Sequence, residues 1–128
     1  RGEIVCGPKS KKFLNSFKYA FQGILSALKT ERNLKIHIFI MIFVIIMGII
    51  LKISTIEWCI CIILFGLVIS LELLNTAIET VVDIAMPEIN EKAKKAKDIS
   101  ASAVLVSAIA SAVIGFIIFL PKLLNLIK

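Results

Sequence analysis

The sequence predicts an all-α integral membrane protein, with three transmembrane helices preceded by an amphipathic surface helix. Three observations predict it. Of its 128 residues, 59% are hydrophobic, against about 45–50% in an average soluble domain. Three apolar runs, separated by short charged segments, are long enough to cross a hydrocarbon core of about 30 Å. The 15 Lys and Arg outnumber the 9 Asp and Glu, and they cluster at the ends of those runs. A basic chain built this way reads as membrane topology rather than nucleic-acid binding, and no nucleic-acid partner is expected.

The elements follow in order. Residues 1–11 are expected to be a tail outside the domain proper; they begin with Arg1 rather than Met and include Cys6, for which no role is expected. Residues 12–128 form a single membrane domain. From 12 to 30, Phe13, Phe17, Phe21, Ile24, Leu25 and Leu28 recur at helical spacing with Lys11, Lys12, Lys18 and Lys29 around them. That pattern predicts a helix lying in the membrane interface, its lysines toward lipid phosphates.

The first span is expected at 34–51, with Lys35 and His37 at the interface and His37 as a filler there. A polar turn over 52–57 and an interfacial Trp58 follow. The second span is expected at 56–85 and is ended by Pro87. Within it Cys59 and Cys61 are two residues apart, point away from each other, and are expected as small buried hydrophobes. Residues 86–98 are expected to be a charged loop or helical turn. The third span is expected at 99–120, ended by Pro121. Its Ala103, Ser107, Ser111 and Gly115 recur every fourth position, a small-residue stripe of the kind that lets helices approach closely in lipid. A helical bundle within an oligomer is the expected assembly.

Eight of the Lys and Arg lie at or before Lys35 and four between Lys92 and Lys97, against three at Lys52, Lys122 and Lys128. The positive-inside rule therefore predicts that the N-terminus and the 86–98 segment face the cytoplasm.

The second span is where chemistry is expected. On a helix, Glu72, Asn75, Thr76, Glu79 and Asp83 fall on one stripe about 100° wide, while Leu73, Leu74, Ala77, Ile78, Val81 and Val82 cover the rest. A carboxylate inside a membrane span costs roughly 2.5–3.5 kcal/mol on insertion scales, so it persists there for a purpose. With the predicted orientation, Asp83 sits at the cytoplasmic end and Glu72 about 16 Å deeper. Glu31, before the first span, and Lys97-Asp98, before the third, lie near the level of Glu79 and Asp83. Carboxylates from several helices plus a lysine suit Mg²⁺ and a polyphosphate. A deeper carboxylate such as Glu72 suits removal of a proton from a lipid hydroxyl. The residues alone leave three readings open: phosphoryl transfer to a lipid, proton or cation conduction, and an accessory membrane subunit. Neither the phosphate-binding G-x-x-x-x-G-K-[ST] loop nor the protein-kinase signature occurs.

The run Glu72-Leu-Leu-Asn75-Thr-Ala-Ile-Glu79-Thr-Val-Val-Asp83, followed by Pro87-Glu88-Ile89-Asn90 and Ala96-Lys97-Asp98, closely resembles the signature of the prokaryotic diacylglycerol kinase family. The Asn-Thr-Ala-Ile-Glu core and the Ile/Lys bias resemble its Gram-positive, undecaprenol kinase branch. The resemblance implies a homotrimer in the bacterial cell membrane, ATP and Mg²⁺ at the cytoplasmic face, and a lipid alcohol as acceptor. It implies that Glu72 is the general base and that Glu31 and Glu79 bind the metal. It further implies that Asn75, Asp83, Glu88, Asn90, Lys97 and Asp98 surround the nucleotide, with Lys12 and Tyr19 contacting nucleotide or lipid. Lys12 stands where arginine is usual, Phe21 where tryptophan is, Asn90 where histidine is and Ala101 where serine is.

Overall fold

The computed structural model describes residues 9–128, so Cys6 and the first eight residues of the expected tail lie outside it. Four helices make up the fold among the described residues: α1 (Lys9–Thr30), α2 (Arg32–Leu51), α3 (Thr55–Ala85) and α4 (Glu91–Ile127). The last three are long and apolar enough to cross a membrane. The surface helix starts at Lys9, three residues before the expected 12.

Each boundary has a local cause. Ser54 caps α3 reciprocally: its hydroxyl accepts from the Glu57 amide at 3.2 Å, and the Glu57 carboxylate accepts from the Ser54 amide at 2.9 Å. The α2–α3 turn is accordingly shorter than expected. It is closed by Lys52 in the left-handed region (φ 52°) and by the Ile53 amide reaching back to the Gly48 carbonyl at 3.2 Å. Asn90 caps α4, its Oδ1 accepting from the amides of Lys92 at 2.9 Å and Ala93 at 3.1 Å.

That cap corrects the expected 86–98 loop: its second half, from Glu91 on, is helix, and only 86–90 is a turn. The other end of α4 is also longer than expected. Pro121 lies inside the helix, and the turn beyond it carries Lys122, which pairs with Glu57 on α3 at 3.3 Å. A proline forfeits one backbone hydrogen bond. The packing of Lys122 and Leu123, both half-buried, continues the helix past that defect.

The helices meet along seams of alternating three- and four-residue spacing. On α3 the inward residues are Cys61, Phe65, Val68, Glu72, Asn75, Glu79 and Val82; on α2 they are Leu34, His37, Met41, Val44 and Gly48. On α4 they run from Ala93 and Lys97 through Val104, Ser107 and Ser111 to Ile118. A mean step of about 3.5 residues is the coiled-coil period. α3 and α4 pack most extensively, antiparallel to each other. Ion pairs bridge them near both ends, Lys97–Asp83 and Lys122–Glu57.

The seam displaces part of the expected small-residue stripe. Ser107 is buried and Ser111 half-buried, but Ala103 faces outward. Four-residue steps drift off a 3.5-residue seam, so such a stripe cannot stay on it. Cys61 is buried as expected, whereas Cys59 is exposed. Trp58 is half-buried, its ring over Gly48, where a Cβ would lie 2.7 Å from Trp58 Cη2. The outer faces remain uncovered, with Phe39 73%, Ile63 69% and Ile117 68% exposed.

Candidate functional site

The α3 seam is apolar from Cys61 to Val68 and turns polar at Glu72. The same packing that builds the bundle therefore forces Glu72 and Asn75 inward. Glu72 is 2% exposed and Asn75 6%, the two buried carboxylate or amide side chains among the described residues. The polar residues each have defined surroundings. Asn75 Nδ2 donates to Glu79 Oε1 at 2.9 Å, one helical turn on. Asn75 Oδ1 is buried with no partner in the chain, an acceptor left for something else. Thr76 is spent internally, its hydroxyl donating to the Glu72 carbonyl at 3.0 Å.

Glu31 joins the group from the α1–α2 junction. It occupies the N-cap position of α2 but makes no side-chain capping bond, unlike Ser54 and Asn90. Glu31 is half-buried there, as is Glu79 on α3. His37 Nε2 lies 3.6 Å from Glu72 Oε2. That is ion-pair range but longer than a hydrogen bond. Sequence reasoning missed this residue, taking it for interfacial filler. The signal was present: His37 falls on the Leu34–Met41–Val44–Gly48 seam of α2.

Two cavities meet here. A chamber of about 340 Å³ is lined by Asn33, His37, Glu72, Asn75, Val104 and Leu105, among others. A groove of about 260 Å³ runs on toward the far end of the bundle between Met41, Val44, Val68, Phe65, Ile114 and Ile118. His37 and Ala108 line both. Beyond Glu72 the path is thus almost wholly apolar, a poor wire for protons or cations and a good bed for a hydrocarbon chain.

Nearer the α3–α4 turn, Lys97 pairs with Asp83. These two line a surface pocket of about 270 Å³ with Val82, Pro87, Glu88, Asn90 and Lys94. Asp83, Glu88, Asn90 and Lys97 are therefore brought together. Asp98 is not: it points into a different depression with Glu91 and Lys95, and pairs with Lys94 at 2.7 Å. The Oδ1 of Asn90 is committed to capping α4, which leaves its amide nitrogen for a ligand. Lys12 is also remote. It is exposed and lies about 28 Å along α1 from Glu31. Tyr19, half-buried on the same helix, is about 18 Å from it. Among the described residues no three His, Cys, Asp or Glu side chains converge as a ready metal cage.

Residues 18–119 match the model of the prokaryotic diacylglycerol kinase family. The chain belongs to that family. Among its relatives, an undecaprenol kinase of Bacillus subtilis is 46% identical over 88% of this chain and 91% of its own. A diacylglycerol kinase of Synechocystis is 43% identical over 88% of this chain and 65% of its own. One of Haemophilus influenzae is 37% identical over 83% of this chain and 91% of its own.

The chain is thus a membrane lipid kinase. Every site residue named from the sequence falls within the segment matched to the prokaryotic diacylglycerol kinase model except Lys12, which precedes it.

Proposed function

We propose that this chain transfers the γ-phosphate of ATP to undecaprenol, with Mg²⁺ as the cation, at the cytoplasmic face of a bacterial cell membrane. The observation that carries the reading is the position of Glu72. It is buried in the wall of a chamber that shares His37 and Ala108 with an apolar groove between α2, α3 and α4, and its carboxylate lies 3.6 Å from His37. A lipid alcohol laid in that groove presents its hydroxyl to Glu72.

The proposed chemistry balances simply. The hydroxyl proton passes to the Glu72 carboxylate as the lipid oxygen bonds to the γ-phosphorus. The bond from the γ-phosphorus to the β–γ bridging oxygen breaks, releasing ADP and lipid monophosphate. Glu31 and Glu79 would hold the metal. Their hard oxygens fit Mg²⁺, which takes one or two protein carboxylates and completes its shell with water and phosphate. The unpartnered Asn75 Oδ1 suits a water of that shell, and Asn75 Nδ2 steadies Glu79. Bound Mg²⁺ would neutralise charge on the transferring phosphate. Lys97 would turn its ammonium from Asp83 to the phosphates, with Asp83, Glu88, Asn90 and Asp98 around the nucleotide. Tyr19 and Lys12, distant within one chain, would contact nucleotide or lipid as α1 lies along the membrane. A homotrimer, with N-terminus and the 86–90 turn cytoplasmic, would cover part of the exposed apolar faces.

Undecaprenol is preferred because the relative at 46% identity bears that activity in its name. Diacylglycerol is the second reading, favoured by the Synechocystis and Haemophilus relatives. The test offers both lipids in mixed micelles with MgATP and compares kcat/KM. The proposal expects undecaprenol to be preferred by at least about tenfold. A preference for diacylglycerol would reverse the assignment, and phosphorylation of neither would end it.

A further inference from the structure

Glu72 is buried on the α3 seam. From α4 the chamber is lined by Ala101, Val104, Leu105 and Ala108, none of which carries a charge. His37 Nε2, at 3.6 Å, is the one Lys, Arg or His nitrogen within 4 Å of the Glu72 carboxylate among the described residues. It is 20% exposed, against 2% for Glu72, and it also lines the apolar groove. The imidazole thus stands on the Oε2 side of the carboxylate, at the threshold a lipid hydroxyl must pass. A ring nitrogen there needs only a small rotation to donate to Oε2, which fixes the carboxylate's plane and leaves Oε1 for the incoming proton.

We propose that His37 is the positioning residue for Glu72: it orients the carboxylate toward the lipid hydroxyl and contributes to kcat, not to nucleotide binding. The proposal rests on the lipid kinase reading with Glu72 as base. It explains why an imidazole is kept on a seam otherwise filled by Leu34, Met41, Val44 and Gly48.

The test compares the full chain with His37→Met and His37→Gln in mixed micelles containing MgATP and undecaprenol or diacylglycerol. The two replacements have nearly the same length and differ in having a donor. Methionine suits a membrane helix at least as well as histidine, so assembly is preserved. A wild-type chain that phosphorylates neither lipid condemns the parent reading, not this one. With the wild type active, His37→Met is expected to lower kcat by about 10- to 100-fold, with KM for MgATP within about twofold of wild type. His37→Gln should recover most of that loss. A His37→Met enzyme with wild-type kcat would overturn the proposal. So would a loss confined to KM for MgATP, or a His37→Gln enzyme as slow as His37→Met.

Discussion

Asn75 donates through Nδ2 to Glu79 Oε1 at 2.9 Å, while its own Oδ1 is buried without a partner in the chain. The two residues are one turn apart on α3, so one face of the amide is spent holding a carboxylate and the other is held open. An unpaired buried acceptor costs about 1–3 kcal/mol, which a purely structural amide would not incur.

Replacing Asn75 by Leu is therefore expected to separate stability from function. The orphaned acceptor disappears with its donor, so the unfolding midpoint in detergent should hold or rise. Glu79 loses its tether, and kcat/KM for MgATP should fall by about 10- to 100-fold, as it does when groups orienting metal ligands are removed. A Mg²⁺ titration of lipid phosphorylation checks this. An unchanged titration would remove Asn75 from the metal side of the site.

Lys97 and Asp83 form an ion pair in which both members are substantially exposed, 38% and 63% respectively. A pair so open to solvent contributes little to folding, typically under about 1 kcal/mol. A double-mutant cycle with Lys97→Ala and Asp83→Asn should therefore show weak coupling in stability. The same Lys97→Ala change should raise KM for MgATP by roughly tenfold if the ammonium serves phosphate rather than Asp83. Strong coupling in stability with unchanged KM would make the pair a structural clasp.

Gly48 and Trp58 hold the turn far from the chemistry. A Cβ at Gly48 would meet the indole at 2.7 and 3.0 Å and Ile53 Cδ1 at 3.1 Å. Gly48→Ala should destabilise by about 1–3 kcal/mol, the usual cost of overpacking. Adding Trp58→Phe should restore part of it. Thermal inactivation of the two variants reads the difference.

Lys52 adopts φ 52° at the end of α2, a conformation that costs a residue with a Cβ about 1–2 kcal/mol. Lys52→Gly should stabilise the protein by about 1 kcal/mol, with lipid phosphorylation unchanged. Lowered thermal stability would mean that the lysine side chain outweighs the backbone strain.

These particulars show what could be read from the residues and why. The polar stripe from Glu72 to Asp83 was legible because an acid in an apolar run is expensive, and helical geometry then places Asn75 and Glu79 beside it. His37 is legible as a residue of the Leu34–Met41 seam, but its 3.6 Å approach to Glu72 depends on how α2 meets α3, which the sequence does not set out. Asn90 read as a ligand, yet its Oδ1 caps α4, since cap and ligand use the same side-chain acceptor. Lys97 and Asp98 are adjacent in sequence but about 100° apart around a helix, so one enters the Asp83 pocket and the other does not. Pro121 looked like a terminus because proline usually is one. The packing of Lys122 and Leu123 against the bundle, with Lys122 paired to Glu57, accompanies α4 past it, and the chain order does not reveal that packing.

The central claim is that Glu72 removes the proton from a lipid hydroxyl. Transfer of labelled phosphate from ATP to undecaprenol and to diacylglycerol, measured for wild type and Glu72→Gln, tests it most directly. The substitution keeps volume and polarity and removes the base. The account predicts a fall in kcat of about 10²- to 10⁴-fold, with MgATP binding retained. A Glu72→Gln enzyme turning over at the wild-type rate would contradict it.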